Sequence, residues 1–462
     1  MELLIMKQIM NKLLLFSLLL FCFQTHAQVL DEYVEYGLES NLAIKQKEAD
    51  YRKSLLVLKE AKGLFYPTIT LDARYSLSTG GRIIEFPIGD LLNPVYANLN
   101  NLYQLHGFPT DPPIVLDNEE FPFYRPKEQE TKIRLIQPLF NPQIYFNQKI
   151  QNKLSESAQI SLDLYKKNLV AEIKIAYYNF QKASQYKLLL EDIKLLLNEN
   201  LRVNESLFKN DKVTIDHIYR SQAEICKLDQ EFSEADKGIQ MTKAYFNFLL
   251  NKPLDSEITN ESASQNTEVL PMDHLQKSAL STREELTQLN KYSQILNYKL
   301  KMDQYNATPN IIAVVDYGFQ GEKYTFNNES DFAMASLVLS WDIFKGFQNA
   351  SKTQQTKIDQ EILSLREKEL KAQIELQLMN AYYDVESINN KRTAATQELI
   401  AATQSFKIIN KKHKEGLVSL LEYLDSQNTT NRARKQLLLL QYDLLISLVE
   451  LEKVAGTTII TD

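Results

Sequence analysis

"HKEGLVSLLEYLDSQ", residues 413–427, has a near-copy in "FKNDKVTIDHIYRSQ", residues 208–222, and 413 − 208 gives a displacement of 205. Each copy closes a long run without glycine or proline: neither residue occurs between Pro142 and Gly238, nor between Gly346 and Gly416. Helices from Pro142 to the first copy, or from Gly346 to the second, would each measure on the order of 100 Å at about 1.5 Å per residue. No compact globular core needs such rods.

The apolar pattern of these runs is a heptad. Leu162, Leu169, Ala176, Ala183, Leu190 and Leu197 step by seven, and 205 positions later stand Glu367, Ile374, Ala381, Ile388, Ala395 and Ala402. Beyond the quoted stretches, Ile218, Ile225, Phe232, Ile239 and Phe246 keep the step, with Tyr423, Thr430, Leu437, Leu444 and Leu451 as their counterparts. A 3.5-residue period packs helices as left-handed supercoiled neighbours. Taken alone, it fits an ordinary coiled-coil rod equally well. The quoted stretches become hairpin tips: Gly416 can take a left-handed conformation and end a helix, and Asp211 holds that place in the first copy. The chain is thus an internal repeat of long helical hairpins.

The repeat extends upstream. Asp31 to Pro67 and Asp273 to Pro309 are both separations of 36 residues, and each proline ends a helix and opens a strand. In "TITLDARYSLS" (68–78), Ile69, Leu71, Ala73, Tyr75 and Leu77 alternate with polar residues. After Pro309, Ile311, Ala313, Val315, Tyr317 and Phe319 share one face. "ETKIRLIQPLF" (130–140) and "FAMASLVLSWDIF" (332–344) precede the long helices. All four lie near the roughly 9–11 residues that a tilted strand needs to cross a bilayer, with Tyr75, Phe319 and Trp341 as interface residues. Open strand edges are not tolerated in lipid, so four spanning strands require several copies to close a barrel. Two copies give eight strands and three give twelve.

The ends and the composition set the context. Lys7 and Lys12, the apolar run Leu13–Phe23 and a cut after Ala27 read as a secretory leader, residues 1–27. Its removal takes Glu2, Lys7 and Lys12, a net +1, from a chain of net charge −7 and leaves −8. An acidic exported protein is a poor partner for nucleic acid. Only Cys226 then remains, and His106, His217, His274 and His413 are scattered without metal-ligand spacing. With no phosphate loop or nucleophile motif either, the expectation is no enzyme, no cofactor and no metal.

The order of these elements resembles the TolC-like outer-membrane efflux proteins. The pieces that carry the resemblance are "YPTITLDARYSLS", "QPLFNP" (137–142) with its counterpart "WDIFKG" (341–346), and the tip "EGLVSLLEYLDSQ". It implies a mainly α fold with a membrane β-barrel contribution, built from repeated strand–strand–long hairpin units into a trimeric tunnel. The first repeat would be 28–270, with hairpin 143–250, and the second 271–462, with hairpin 346–455. It further implies a homotrimer in outer-membrane lipid, its helical tunnel in the periplasm of a Gram-negative bacterium. Its partners would be a periplasmic adaptor and, indirectly, an inner-membrane pump. A coiled-coil spacer of the envelope without a pore is the alternative reading.

Three places matter for function under the resemblance. The tips Asp211, Lys212, Val213 and Gly416, Leu417, Val418 would dock the adaptor. Glu422 and Asp425, three apart and on one helix face, match the paired acids that ring the family's periplasmic aperture. The other half departs from this: 205 positions earlier stand His217 and Arg220, with Asp216 the nearest acid, so Asp216 and His217 are that half's aperture residues. The insert 78–130 holds seven of the chain's 13 prolines and reads as an irregular extracellular loop, either capping the barrel mouth or simply solvated.

Overall fold

The computed structural model describes residues 28–109, 115–261, 270–415 and 417–456; the leader and Gly416 lie outside the described residues. In chain order the elements are α1 (Gln28–Ser40), α2 (Leu42–Gly63), β1 (Thr68–Leu77), β2 (Ile83–Phe86), α3 (Ile88–Leu105), β3 (Glu119–Pro122), β4 (Lys127–Phe140), α4 (Pro142–Lys209) and α5 (Asp216–Leu249). There follow α6 (Met272–Thr282), α7 (Glu284–Tyr305), β5 (Asn310–Gly321), β6 (Asp331–Ser340), α8 (Gln348–Lys414) and α9 (Leu420–Ala455). The chain is mostly helical, and α4 and α8 run unbroken for 68 and 67 residues.

Two compact units form, and each draws on both sequence repeats. The helical unit gathers 1–57, 150–297 and 356–462; the strand unit gathers 58–149 and 298–355. In the helical unit the heptad positions turn inward, as a 3.5 period requires. Leu169, Ile173 and Phe246 are fully buried with Ile44, and their counterparts 205 residues on, Ile374, Leu378 and Leu451, are fully buried with Leu275. Glu367, which breaks the series, is exposed. The two hairpins are also tied to each other. Lys435 of α9 pairs with Glu231 of α5, and Lys182 of α4 meets Asp443 of α9 at 2.5 Å. These pairs are half-exposed, so they set which faces meet more than they stabilise.

The helix ends keep the 205-residue displacement. Asp211 (φ 54°) turns in the left-handed conformation that an aspartate tolerates, and the Lys212 N–H reaches back to the Leu207 carbonyl at 3.0 Å. The Leu417 N–H makes the matching bond to Lys412 at 2.9 Å. Asn251 (φ 53°) and Gly456 (φ 66°), again 205 apart, end α5 and α9 in the same conformation. Such a residue lets the chain turn back while satisfying the last carbonyls of the helix.

The main sheet of the strand unit is four-stranded and antiparallel, in the order β1-β4-β5-β6, so β1 and β6 are its edges. Register puts Leu71, Ile133 and Tyr317 in one row, and Ile69, Leu135 and Val315 in the next, on the same face. The rows that alternate with these carry Thr70, Arg134 and Asp316 between them, and Asp72, Lys132 and Gly318 beyond Leu71. On that second face Arg134 grips Asp316 through two 2.8 Å hydrogen bonds, and Arg74 meets Glu130 at 3.0 Å. One face is thus apolar and exposed, while the other is charged and internally paired. No described helix is long and apolar enough to cross a membrane.

Two expectations are corrected. β6 stops at Ser340, not at 344: Ser340 faces Asn310, so Trp341 would face Pro309, which has no N–H to continue the ladder. Trp341 instead donates its indole N–H to the Ala307 carbonyl at 2.8 Å. The insert is not irregular throughout. It contains the 18-residue helix α3 and, on either side of that helix in sequence, the antiparallel pair β2 and β3. Pro87 stands at the helix N-cap, where no N–H is needed, and only Pro94 lies inside.

Candidate functional site

The site is the pair of hairpin tips with the helix turns behind them, all within the helical unit. At the second tip Ser419 caps α9, its hydroxyl accepting the Glu422 N–H at 3.2 Å. Ser419 and Glu422 have the S-x-x-E spacing of a capping box. Glu422 therefore has a local role in the fold: its carboxylate sits in the first turn of α9, where the helix dipole favours negative charge. Asp425 lies one turn on, and both acids are exposed. Among the described residues neither is ion-paired, so their charge is free to act on whatever lies in front of them.

The first tip is different. Asp216 is paired with Arg220 at 3.5 Å, and the Thr214 hydroxyl, then His217 and Arg220, hold its carboxyl below the usual range. The two halves thus present an unpaired acidic pair and a compensated acid. Asp211 and Lys212 are exposed, and Val213 and Val418 are half-buried. Gly416, the turn residue of the second tip, lies outside the described residues.

Behind the tips is a polar layer that sequence reasoning missed. His413 is only 4% exposed and stacks on Tyr423, with ring centroids 4.4 Å apart. Neither of its ring nitrogens has a partner of hydrogen-bond geometry among the described residues, and the same holds for Nδ1 of His217. Asn204 donates to Asn200 (3.1 Å) and to Ser221 (2.8 Å), and Ser221 donates to Asn200 at 2.9 Å. In sequence these residues are far apart; it takes the pairing of the two hairpins to bring them into one layer. The only linear signal was His413 three residues before the turn glycine.

Burial pushes the His413 imidazole below its ordinary value of 6.5, and His217 adds to this, while the nearby Val418 backbone offsets part of it. His217 of α5 acts on it, Lys412 and Lys414 flank it on its own helix, and Glu199 of α4, paired with Arg202, acts on the Tyr423 on which it stacks. A histidine with a lowered folded-state value contributes stability that is complete above 6.5 and is lost as the pH falls toward the folded value. Proteolysis at Lys411, Lys412 and Lys414 is therefore expected to accelerate as pH falls from about 7.5 to 5, across the range where histidine titrates. In His413→Phe, which keeps the stack but cannot take up a proton, that dependence should vanish. An unchanged pH profile in His413→Phe would clear His413 of the effect.

The hairpins enclose a cleft of about 650 Å³ between α4, α5 and α9, lined by Glu224, Glu231, Arg432, Lys435 and Asp443 among others. Here burial and the Glu231 carboxylate push the Tyr186 hydroxyl up to about 12, so it stays a donor to Glu231. Among the described residues no cluster of three or more histidine, cysteine or acidic groups could hold a metal ion.

Comparison with known proteins fits this architecture. The family model described as "Outer membrane efflux protein" matches residues 275–457, which is most of the second repeat. Over nearly the whole chain the fold is similar to that of CusC (12% identity, TM-score 0.77, 93% of this chain and 92% of that one). It is also similar to the CmeC outer membrane channel of Campylobacter jejuni (12%, 0.76, 94% and 86%). A third is the MtrE outer membrane channel of Neisseria gonorrhoeae (13%, 0.73, 93% and 89%). No curated protein matches the chain. The resemblance to outer-membrane efflux proteins read from the sequence is borne out, and the fold is that of outer-membrane channels.

Proposed function

We propose that this chain is the outer-membrane exit duct of a tripartite efflux or type I secretion system. It would be a passive trimeric channel, opened by a periplasmic adaptor and an inner-membrane pump. The observation that carries this reading is the four-stranded sheet with two free edges, one apolar face and one charged face. In a bilayer such a sheet is stable only when β1 of one copy pairs with β6 of the next, turning the apolar face to lipid. Three copies give twelve strands around a polar lumen. A coiled-coil spacer would have no use for that sheet. The protein would lie in the outer membrane of a Gram-negative bacterium, with the long helices continuing as a tunnel in the periplasm.

The test is purification in detergent, followed by gel analysis with and without heating and by conductance in planar bilayers. A heat-modifiable trimer with a conducting pore is expected. A stable monomeric pore, or a folded trimer without conductance, refutes the duct.

The tips Asp211, Lys212, Val213, Gly416, Leu417 and Val418 would form the adaptor-docking surface. Gly416 lies outside the described residues; the expectation for it rests on glycine being able to take the left-handed conformation that Asp211 holds at φ 54° in the first tip. A β-branched residue there costs on the order of 1 kcal/mol or more. Gly416→Val is expected to leave trimers intact and to abolish export. Normal export in that variant would remove the tip from docking.

A further inference from the structure

The strand unit carries an apolar surface that its own fold leaves uncovered. On α3, Leu91, Val95, Leu99 and Leu102 are all exposed, Leu102 by 53%. At about 100° per residue these positions fall on one side of the helix. The opposite side is tied down. Asn93 donates to the Leu116 carbonyl at 3.0 Å and accepts the Leu116 N–H at 2.9 Å; the Asn118 carbonyl oxygen accepts the Asp90 N–H at 3.1 Å. Gly89 lies so close that a Cβ there would sit 2.2 Å from the Leu116 carbonyl oxygen. The helix is therefore held by its polar side and presents its apolar side outward.

Charge selects the occupant. After Asp90, α3 has no charged residue, and the insert 78–126 has six acids (Glu85, Asp90, Asp111, Asp117, Glu119, Glu120) against two bases (Arg82, Arg125). An interfacial helix that lies on phosphate headgroups is rich in Lys and Arg, and this one has neither. In the trimeric duct proposed above, the surface left to cover the stripe is another copy of the chain. The insert leaves the sheet at the end of β1, where Ser78 is hydrogen-bonded to the Pro126 and Arg125 carbonyls. β1 is an edge strand, so each insert is rooted at the strand that another copy would have to join.

We propose that the apolar stripe of α3 packs against the same stripe of the other copies, so that three α3 helices close the outer mouth of the barrel. The inference rests on the trimeric duct proposed above. Leu91, Val95, Leu99 and Leu102 would meet near the threefold axis, and the stripe would lose its exposure only in the assembled trimer. Passage through the mouth then requires the three helices to part.

The experiment uses the full chain in a Cys226→Ser background, Cys22 departing with the expected leader. Leu102→Cys and Gln104→Cys, on opposite sides of α3, are compared in purified trimers under mild oxidation. Most of the Leu102→Cys chain is expected to run as a disulfide-linked dimer, with a yield independent of protein concentration, while Gln104→Cys stays monomeric. A water-soluble maleimide should label Leu102→Cys far more slowly than Gln104→Cys in the unoxidised trimer. If trimers form but the two variants cross-link alike, or label at equal rates, the cap is wrong and the duct stands. If no trimers form in the parent background, the cap falls together with the duct.

Discussion

Gly318→Val is expected to abolish the heat-stable trimer proposed above while the helical unit stays folded. Gly318 lies on the charged face of β5, in register with Lys132 of β4 and Phe332 of β6. A Cβ at this position would stand 2.4 Å from the Thr131 carbonyl oxygen and 2.6 Å from the Lys132 Cα. Both are backbone atoms of the paired strand, so no rotamer change can make room. Forcing a side chain into packed structure costs typically about 1–3 kcal/mol, and a closed barrel would meet that cost in every copy. The damage falls on the central β4–β5 pair, which joins the strands of the first repeat to those of the second. Helical circular dichroism should be retained, because the core of the helical unit is built from other residues. Gel analysis with and without heating reads the oligomer. A Gly318→Val protein with wild-type trimers and wild-type melting would show that β4 and β5 do not pair as described.

That prediction depends on a contact invisible in the linear chain, and the boundary between legible and illegible runs along such contacts. The heptads were legible because burial on a helix repeats every seven residues, and Leu169 and Ile374 need no knowledge of their partners to be picked out. The tips were legible because a left-handed turn restricts which residues fit. The shape of the Asp211 turn was not legible in the same way, because an aspartate only tolerates the left-handed region that it occupies here at φ 54°. The end of β6 was not legible: it is set by Pro309, the residue that would face Trp341 across the ladder, in a strand more than thirty positions earlier. Helix α3 was hidden by counting prolines without asking where each would sit. The Ser419 cap of α9 is written in the S-x-x-E spacing at 419–422, although the sequence expectations took Glu422 only as an aperture acid. The layer of His413, Tyr423, His217 and Asn200 was not legible, because it exists only where two hairpins meet.

Replacing Glu422 with Gln and Asp425 with Asn is expected to remove the cation preference of the pore and its block by multivalent cations. Both acids are exposed and free of ion pairs among the described residues, so each copy brings two uncompensated charges to the second tip. In the first half His217 and Arg220 hold the corresponding places, and Asp216, the nearest acid, is already matched by Arg220, so the first tip adds little field. Three copies would then set six carboxylates around the narrow end of the tunnel. Helix walls of low dielectric focus such a field and favour cations, with divalent and trivalent ions held most strongly. Glu422 complicates the test, since it also lies in the first turn of α9, where a negative charge favours the helix by about 0.3–1 kcal/mol. The Ser419 cap uses the Glu422 backbone N–H, which glutamine retains, so the tip should loosen only slightly. A separate Asp425→Asn variant, away from the cap, distinguishes the two effects. It should lower cation preference without altering the proteolysis of the tip. Single-channel recordings in planar bilayers, with and without a trivalent cation, give the readout. Unchanged selectivity and unchanged block in the double variant would mean that these carboxylates do not face the conducting path.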